Sequence, residues 1–242
     1  MPLIHPFTQV HRRATLALSG IFASRMMGLF MILPVLAISY DQYRDASPEL
    51  MGTALGIYGL CQAMLQVPFG MVSDRLGRKP VILLGLGIFI FGSIVAALSH
   101  SVFGLIIGRG LQGAGAIGST ITALVADLTP EDKRTQAMAI IGISIGSSFG
   151  LAMIFGPIIN NLGGLSAIFW ITAGLGLISI LLLLTAVPSP EQSTAHRDTD
   201  VLMDDLLATV NNPSLRRLDF GVFTLHAILS AGFLLIPNII AS

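Results

Sequence analysis

Charge is scarce in this chain. Asp, Glu, Lys and Arg make up 11% of its 242 residues, against about 25% in a typical soluble domain, which excludes an ordinary water-facing surface. Cysteine is rarer still: Cys61 stands alone inside an apolar run, so no internal disulfide can form, and the side chain reads as a small buried group. Carboxylates are missing where they would be most informative. All 13 Asp and Glu lie in connections or at the ends of apolar runs, none in the middle of one. The sequence also lacks a lysine-bearing phosphate loop, a metal-ligand cluster and a nucleophile constellation. Enzyme, metal and cofactor chemistry are therefore not expected, and an ion gradient rather than ATP would supply energy. The basic residues are spread along the chain at zero net charge, so nucleic acid is not an expected partner.

What the chain has is hydrocarbon. Apolar residues form 53% of it and the mean hydropathy is +0.82, the values of an integral membrane protein. Runs of the 20 or so residues that cross a bilayer fall near 14–38, 50–72, 80–99, 102–126, 136–160, 165–187 and from 217 onward. The 13 Lys and Arg are sorted by side. Arg12, Arg13, Arg75, Arg78, Lys79, Lys133, Arg134, Arg197, Arg216 and Arg217 occupy alternate connections, whereas the opposite ones hold only Arg44. Positive charge stays inside, so the N-terminus is expected in the cytoplasm of a multi-pass protein. The first run is read as a retained span rather than a signal peptide, because it contains Arg25, exceeds 20 residues and lacks a small-residue cleavage site.

Arg25 and Arg109 are the two charges inside spans. An intramembrane charge costs about 2.5 kcal/mol or more and marks a functional site by default; the alternative is an arginine that locks helix ends through backbone carbonyls. Gln112 is three residues from Arg109 and shares its face. Tyr58, Gln62 and Gln66 recur at i, i+4 and i+8, a polar stripe that should face a cavity or another helix rather than lipid. Gly142, Gly146 and Gly150, followed by Gly156-Pro157, predict close helix packing and a bend; packing is expected of them rather than ligand contact. His226 is the remaining group within a run that could titrate near neutral pH, with hydrogen-bonded packing as its alternative role.

Between the second and third runs lies Gly70-Met71-Val72-Ser73-Asp74-Arg75-Leu76-Gly77-Arg78-Lys79-Pro80. Its glycines suit a tight turn and close backbone approach, and any helical continuation would place Asp74 and Arg78 on one face. The pattern G-x-x-x-D-R-x-G-R-K resembles the signature loop of the major facilitator superfamily. With Met31–Leu36, Gly56–Leu60 and Phe155–Ile159, the chain is similar to the drug:proton antiporter branch, and within it to YajR-like transporters. The stretch Leu105–Gly115 resembles that superfamily's fourth-helix motif, and Gly142, Gly146, Gly150 and Gly156-Pro157 its antiporter helix-5 motif, with Ala152 and Asn160 standing where glycines occur.

The resemblance implies an all-α fold: an N-terminal six-helix bundle over residues 1–187 as a 3+3 inverted repeat, a cytoplasmic linker over 188–216, and the truncated seventh helix of a missing C-terminal bundle from 217 to 242. A short amphipathic helix is expected around Val201–Val210. The repeat is visible as Phe69-Gly70, Asp74 and Leu76-Gly77 against Phe155-Gly156, Asn160 and Leu162-Gly163, 86 residues on. The implied function is secondary active transport by alternating access in the bacterial inner membrane, with export of small hydrophobic or amphipathic compounds against protons. In it Gly70, Asp74, Arg75, Gly77, Arg78 and Lys79, with Asp127 paired to Arg78, form a cytoplasmic gate. Arg25, Tyr58, Gln62, Gln66, Arg109, Gln112 and His226 belong to the cavity and its coupling. A sugar or metabolite exporter, or a truncated product that only binds partners or ligands, are the other readings of the same residues.

Overall fold

The computed structural model describes residues 9–36, 39–188 and 211–241. Its helices are α1 (Gln9–Phe30), α2 (Leu33–Leu36), α3 (Pro48–Leu76), α4 (Arg78–Leu98), α5 (Val102–Ala114), α6 (Gly118–Asp127), α7 (Glu131–Ala186) and α8 (Pro213–Ala241). Their limits follow local chemistry. Ser47 accepts the amide of Leu50 at 3.3 Å ahead of Pro48, and Ser101 accepts that of Gly104 at 3.2 Å, each a side-chain cap on an orphan helix-start amide. Pro34, which has no amide to give, follows the break between α1 and α2.

At 56 residues and 1.5 Å per residue, α7 would be roughly 84 Å long if straight, well over two bilayer cores. It therefore folds back. Gly163 and Gly164 leave helical geometry, Gly164 at φ 67°, so α7 is the fifth and sixth spans joined at a corner. The expected fourth span over 102–126 is likewise not one rod: α5 and α6 are separated at Gly115–Ile117. There Gly115 abuts the carbonyl of Gly85 on α4, and Ile117 occupies the space that a side chain at Gly85 would need.

The bundle has two apolar centres. Met31, Leu36, Val102 and Phe169 belong to one; Leu18, Leu86, Ile121 and Leu183 belong to the other. The second lies toward the basic connections, and so toward the cytoplasm. At the opposite end, the Oγ of Ser39 donates to Oδ1 of Asn160 at 3.4 Å, and Oε1 of Gln42 accepts the amide of Leu165 at 3.1 Å. This neutral clasp ties the end of the first span to the α7 corner. The expected helix around Val201–Val210 lies outside the described residues, as does most of the 188–216 connection. Among the described residues, α3 is poorly covered: its most apolar window is 6% buried, against 56% for α4.

Candidate functional site

Two polar assemblies stand out, one at the cytoplasmic end and one between the apolar centres. The first forms where α3 meets α4. Gly77 sits at φ 92° and ψ 150°, a region essentially restricted to glycine, and it reverses the chain between Asp74 and Arg78. These two residues pair, but across this corner and not along one continuing helix. Nε of Arg78 donates to Oδ2 of Asp127 at 3.0 Å, and Nη1 donates to Oγ of Ser73 at 2.7 Å. Ser73, 1% exposed, in turn donates to the carbonyl of Gly70 at 2.6 Å. Gly70 does not make the close approach expected of it, since a Cβ there would stand at an ordinary 3.5 Å from Ser119; its carbonyl is what the site uses. Arg75 is exposed.

Each of the three charges sits at the wrong helix end. Asp74 and Asp127 occupy C-terminal turns, where the helix dipole disfavours an anion by about 0.3–1 kcal/mol, and Arg78 opens α4, where it disfavours a cation. Helix stability alone would not place them there. Lys79 is different: its Nζ donates to the carbonyl of Val187 at 2.8 Å, a cation closing a helix C-terminus.

The second assembly is built around the intramembrane arginines. Arg109 is fully buried. Its Nη1 donates to Oε1 of Gln112 at 2.8 Å, its Nε to the carbonyl of Ala54 at 3.4 Å, and its guanidinium lies 4.5 Å from the Tyr58 ring centroid. That approach depends on Gly113, whose α-carbon face abuts the Tyr58 backbone. Gln112 passes the chain on, donating to Oγ of Ser93 at 2.8 Å, and Ser93 donates to the Phe89 carbonyl at 2.7 Å. Across the bundle, Nη2 of Arg25 donates to Oε1 of Gln62 at 3.2 Å, and the Arg25 guanidinium stands 5.9 Å from the Phe89 centroid. Gln62 is one helical turn from Tyr58, so the chain closes into a ring of seven residues from α1, α3, α4 and α5.

Arg25 and Arg109, expected to face a cavity, are 2% and 0% exposed: the bundle's own helices wrap both. The two are not equally compensated. Arg109 has two hydrogen-bond acceptors and a close ring, each worth on the order of 1–3 kcal/mol to a desolvated cation. Arg25 has one acceptor and a distant ring, and its Nε and Nη1 are buried without a partner among the described residues, as are Nη2 of Arg109 and the Tyr58 hydroxyl.

Other expected site residues fall elsewhere. Gln66 packs beside Gly118, a turn or more from the ring. His226 is exposed on α8, its Nδ1 2.9 Å from the Val222 carbonyl of its own helix. Gly142, Gly146 and Gly150 do not mediate close packing among the described residues: a Cβ at any of them would meet nothing within 4 Å, because they lie on a face of α7 that no other described helix covers. Gly156 does pack closely, against the Met31 carbonyl, and Pro157 follows it within the helix. Ser73 and Ser93 were not foreseen. Ser73 lies within the signature stretch but at an unmarked position, and Ser93 is one small residue among many in an apolar span.

This bundle, with its cytoplasmic corner, defines a polytopic helical membrane protein. A family model described as Major Facilitator Superfamily matches residues 18–241, and the chain belongs to that superfamily. It is 44% identical over 237 residues to the inner membrane transport protein YajR of Escherichia coli (strain K12), a match covering 98% of this chain and 52% of YajR. It is 31% identical over 182 residues to the Escherichia coli tetracycline resistance protein, class B, covering 72% of this chain and 44% of that protein. Among solved structures, the human organic anion transporter MFSD10 (TETRAN) matches with a TM-score of 0.66 at 22% identity, over 76% of this chain and 49% of that one, a likeness of fold. The chain thus spans about half the length of the curated relatives it matches. It is a multi-pass protein of the bacterial inner membrane.

Proposed function

We propose that this chain is the N-terminal bundle of a proton-coupled exporter of small hydrophobic or amphipathic compounds, working by alternating access. The helices α1 to α7 form the bundle, the connection after them is its linker, and α8, which begins at Pro213 rather than at 217, is the first helix of a facing bundle. The observation that carries this reading is the set of three charges held at unfavourable helix ends. At the cytoplasmic mouth one cation, Arg78, faces two anions, Asp74 and Asp127, leaving one negative charge in excess, and Asp74 remains 35% exposed on its side chain. It is thereby available to a helix N-terminus of the facing bundle, which would stabilise an anion. In the outward-facing state that contact holds the cytoplasmic side shut. The tetracycline resistance relative supports efflux as the direction of transport.

The test is a chimera in which this chain replaces the corresponding half of Escherichia coli YajR, reconstituted with an imposed proton gradient and a panel of lipophilic solutes. Gradient-dependent export is expected, with at least a tenfold loss in Asp74→Asn and Arg78→Ala at normal insertion. Parental rates in either variant would refute the gate. Movement of sugars in preference to lipophilic solutes would move the assignment to metabolite export, and solute binding without movement would leave a bundle that binds only.

A further inference from the structure

The ring holds two guanidiniums and no carboxylate. Arginine stays charged in proteins, and a charge withdrawn from water needs an opposite charge or a full set of hydrogen bonds. Arg109 approaches the second condition; Arg25 meets neither. Its Nε and Nη1 are buried and unpartnered among the described residues, and every Asp and Glu of this chain lies at a span end or in a connection. The one acceptor Arg25 has is the Gln62 amide oxygen, a neutral atom in the position a carboxylate oxygen would take. Gln62 is half-buried on α3, whose most apolar stretch is only 6% buried, and α1 and α3 do not pack along a common seam. Gln62, the more exposed of the two, therefore stands between the open face of α3 and the Arg25 guanidinium.

We propose that Arg25 recognises the carboxylate of an amphipathic organic anion, which displaces the Gln62 oxygen and accepts from the guanidinium's free edge. The solutes of this bundle are then anionic and not cationic: the ring offers two positive charges to a lipophilic cation and no acid to receive it. The planar guanidinium fork suits two carboxylate oxygens, and the apolar windings around it suit the solute's hydrocarbon. The inference rests on the exporter reading for the solute's passage, whereas binding to the chain needs no gradient and can be measured alone.

The experiment uses the whole chain in nanodiscs and three probes of one shape: 1-naphthoate, the neutral 1-naphthamide and 1-naphthylmethylammonium, each corrected for empty nanodiscs. Naphthoate should bind at least tenfold more tightly than the ammonium, with the amide between. Arg25→Met should lose at least tenfold in naphthoate affinity with amide binding unchanged, and Arg25→Lys should recover part of it. Gln62→Glu supplies the carboxylate from within, so it should raise the melting temperature and abolish naphthoate binding; it also tests the idea if Arg25→Met fails to fold. Equal binding of naphthoate and ammonium, or naphthoate affinity unaffected by Gln62→Glu, would overturn the proposal. Complete displacement of naphthoate by equimolar chloride would overturn the organic-anion assignment in favour of a bare anion site. Naphthoate binding in a chain whose chimera exports nothing would sustain this inference and refute the exporter reading.

Discussion

The ammonium group of Lys79 donates to the carbonyl of Val187 at 2.8 Å, joining the first turn of α4 to the end of the sixth span, 108 residues later. The bond roots the following connection beside the signature corner, so movement at one is felt at the other. Lys79→Met should leave insertion unchanged and increase protease cleavage after residue 187. Identical cleavage rates in the parent and the variant would show that the bond holds nothing.

Arg78→Lys is expected to behave almost as badly as Arg78→Ala. Three partners share one guanidinium, Asp127 on Nε and both Ser73 and Asp74 on Nη1, and an ammonium cannot reproduce that planar geometry. Because the groups are partly exposed, the stability loss is modest, about 1 kcal/mol. Thermal unfolding in detergent checks it, and a lysine variant with parental stability would count against the shared geometry.

Gln112→Leu should cost more, about 1–3 kcal/mol, since it strands Nη1 of Arg109 and leaves Ser93 without its donor in a fully buried site. Adding Ser93→Ala should cost little further, because the two residues act in one chain. Additive losses in a double-mutant cycle would mean that the ring is not a connected unit.

The glycines sort by geometry. Gly77→Ala should destabilise by about 1–3 kcal/mol through its backbone angles, whereas Gly142→Ala, Gly146→Ala and Gly150→Ala should be neutral in this chain. If all four behaved alike in thermal melts, the corner would not be strained by a side chain.

Orientation is checked with single cysteines in a Cys61→Ser background. An impermeant thiol reagent should reach Arg75→Cys only from the cytoplasm and Asp45→Cys only from the outer side. Labelling of position 45 from the cytoplasm would invert the topology.

Much of this was legible in the sequence, for reasons that differ by residue. Spans are dictated by the bilayer, so apolar runs located the helices to within a few residues. The nearness of Asp74 and Arg78 was legible in their spacing, whereas the pairing of Arg78 with Asp127 was an expectation from the resemblance of the signature loop and not from the residues alone. The breaks at Gly115–Ile117 and Gly163–Gly164 were harder to see, since they depend on where another helix crosses. The burial of Arg25 and Arg109 could not be read at all: periodicity assigns a residue to a face, but only packing decides what that face meets. Ser93 and Gln42 illustrate the same limit, for each matters through one partner far away in sequence.

The outer clasp and the cytoplasmic corner occupy matching ends of the inverted repeat, yet one is neutral and the other ionic. Asn160 and Gln42 use amide oxygens where Asp74 and Asp127 use carboxylates. Dissolved salt screens charges at a partly exposed surface and leaves neutral hydrogen bonds nearly untouched. The corner at the inner end is therefore expected to loosen as ionic strength rises, while the clasp at the outer end keeps its grip.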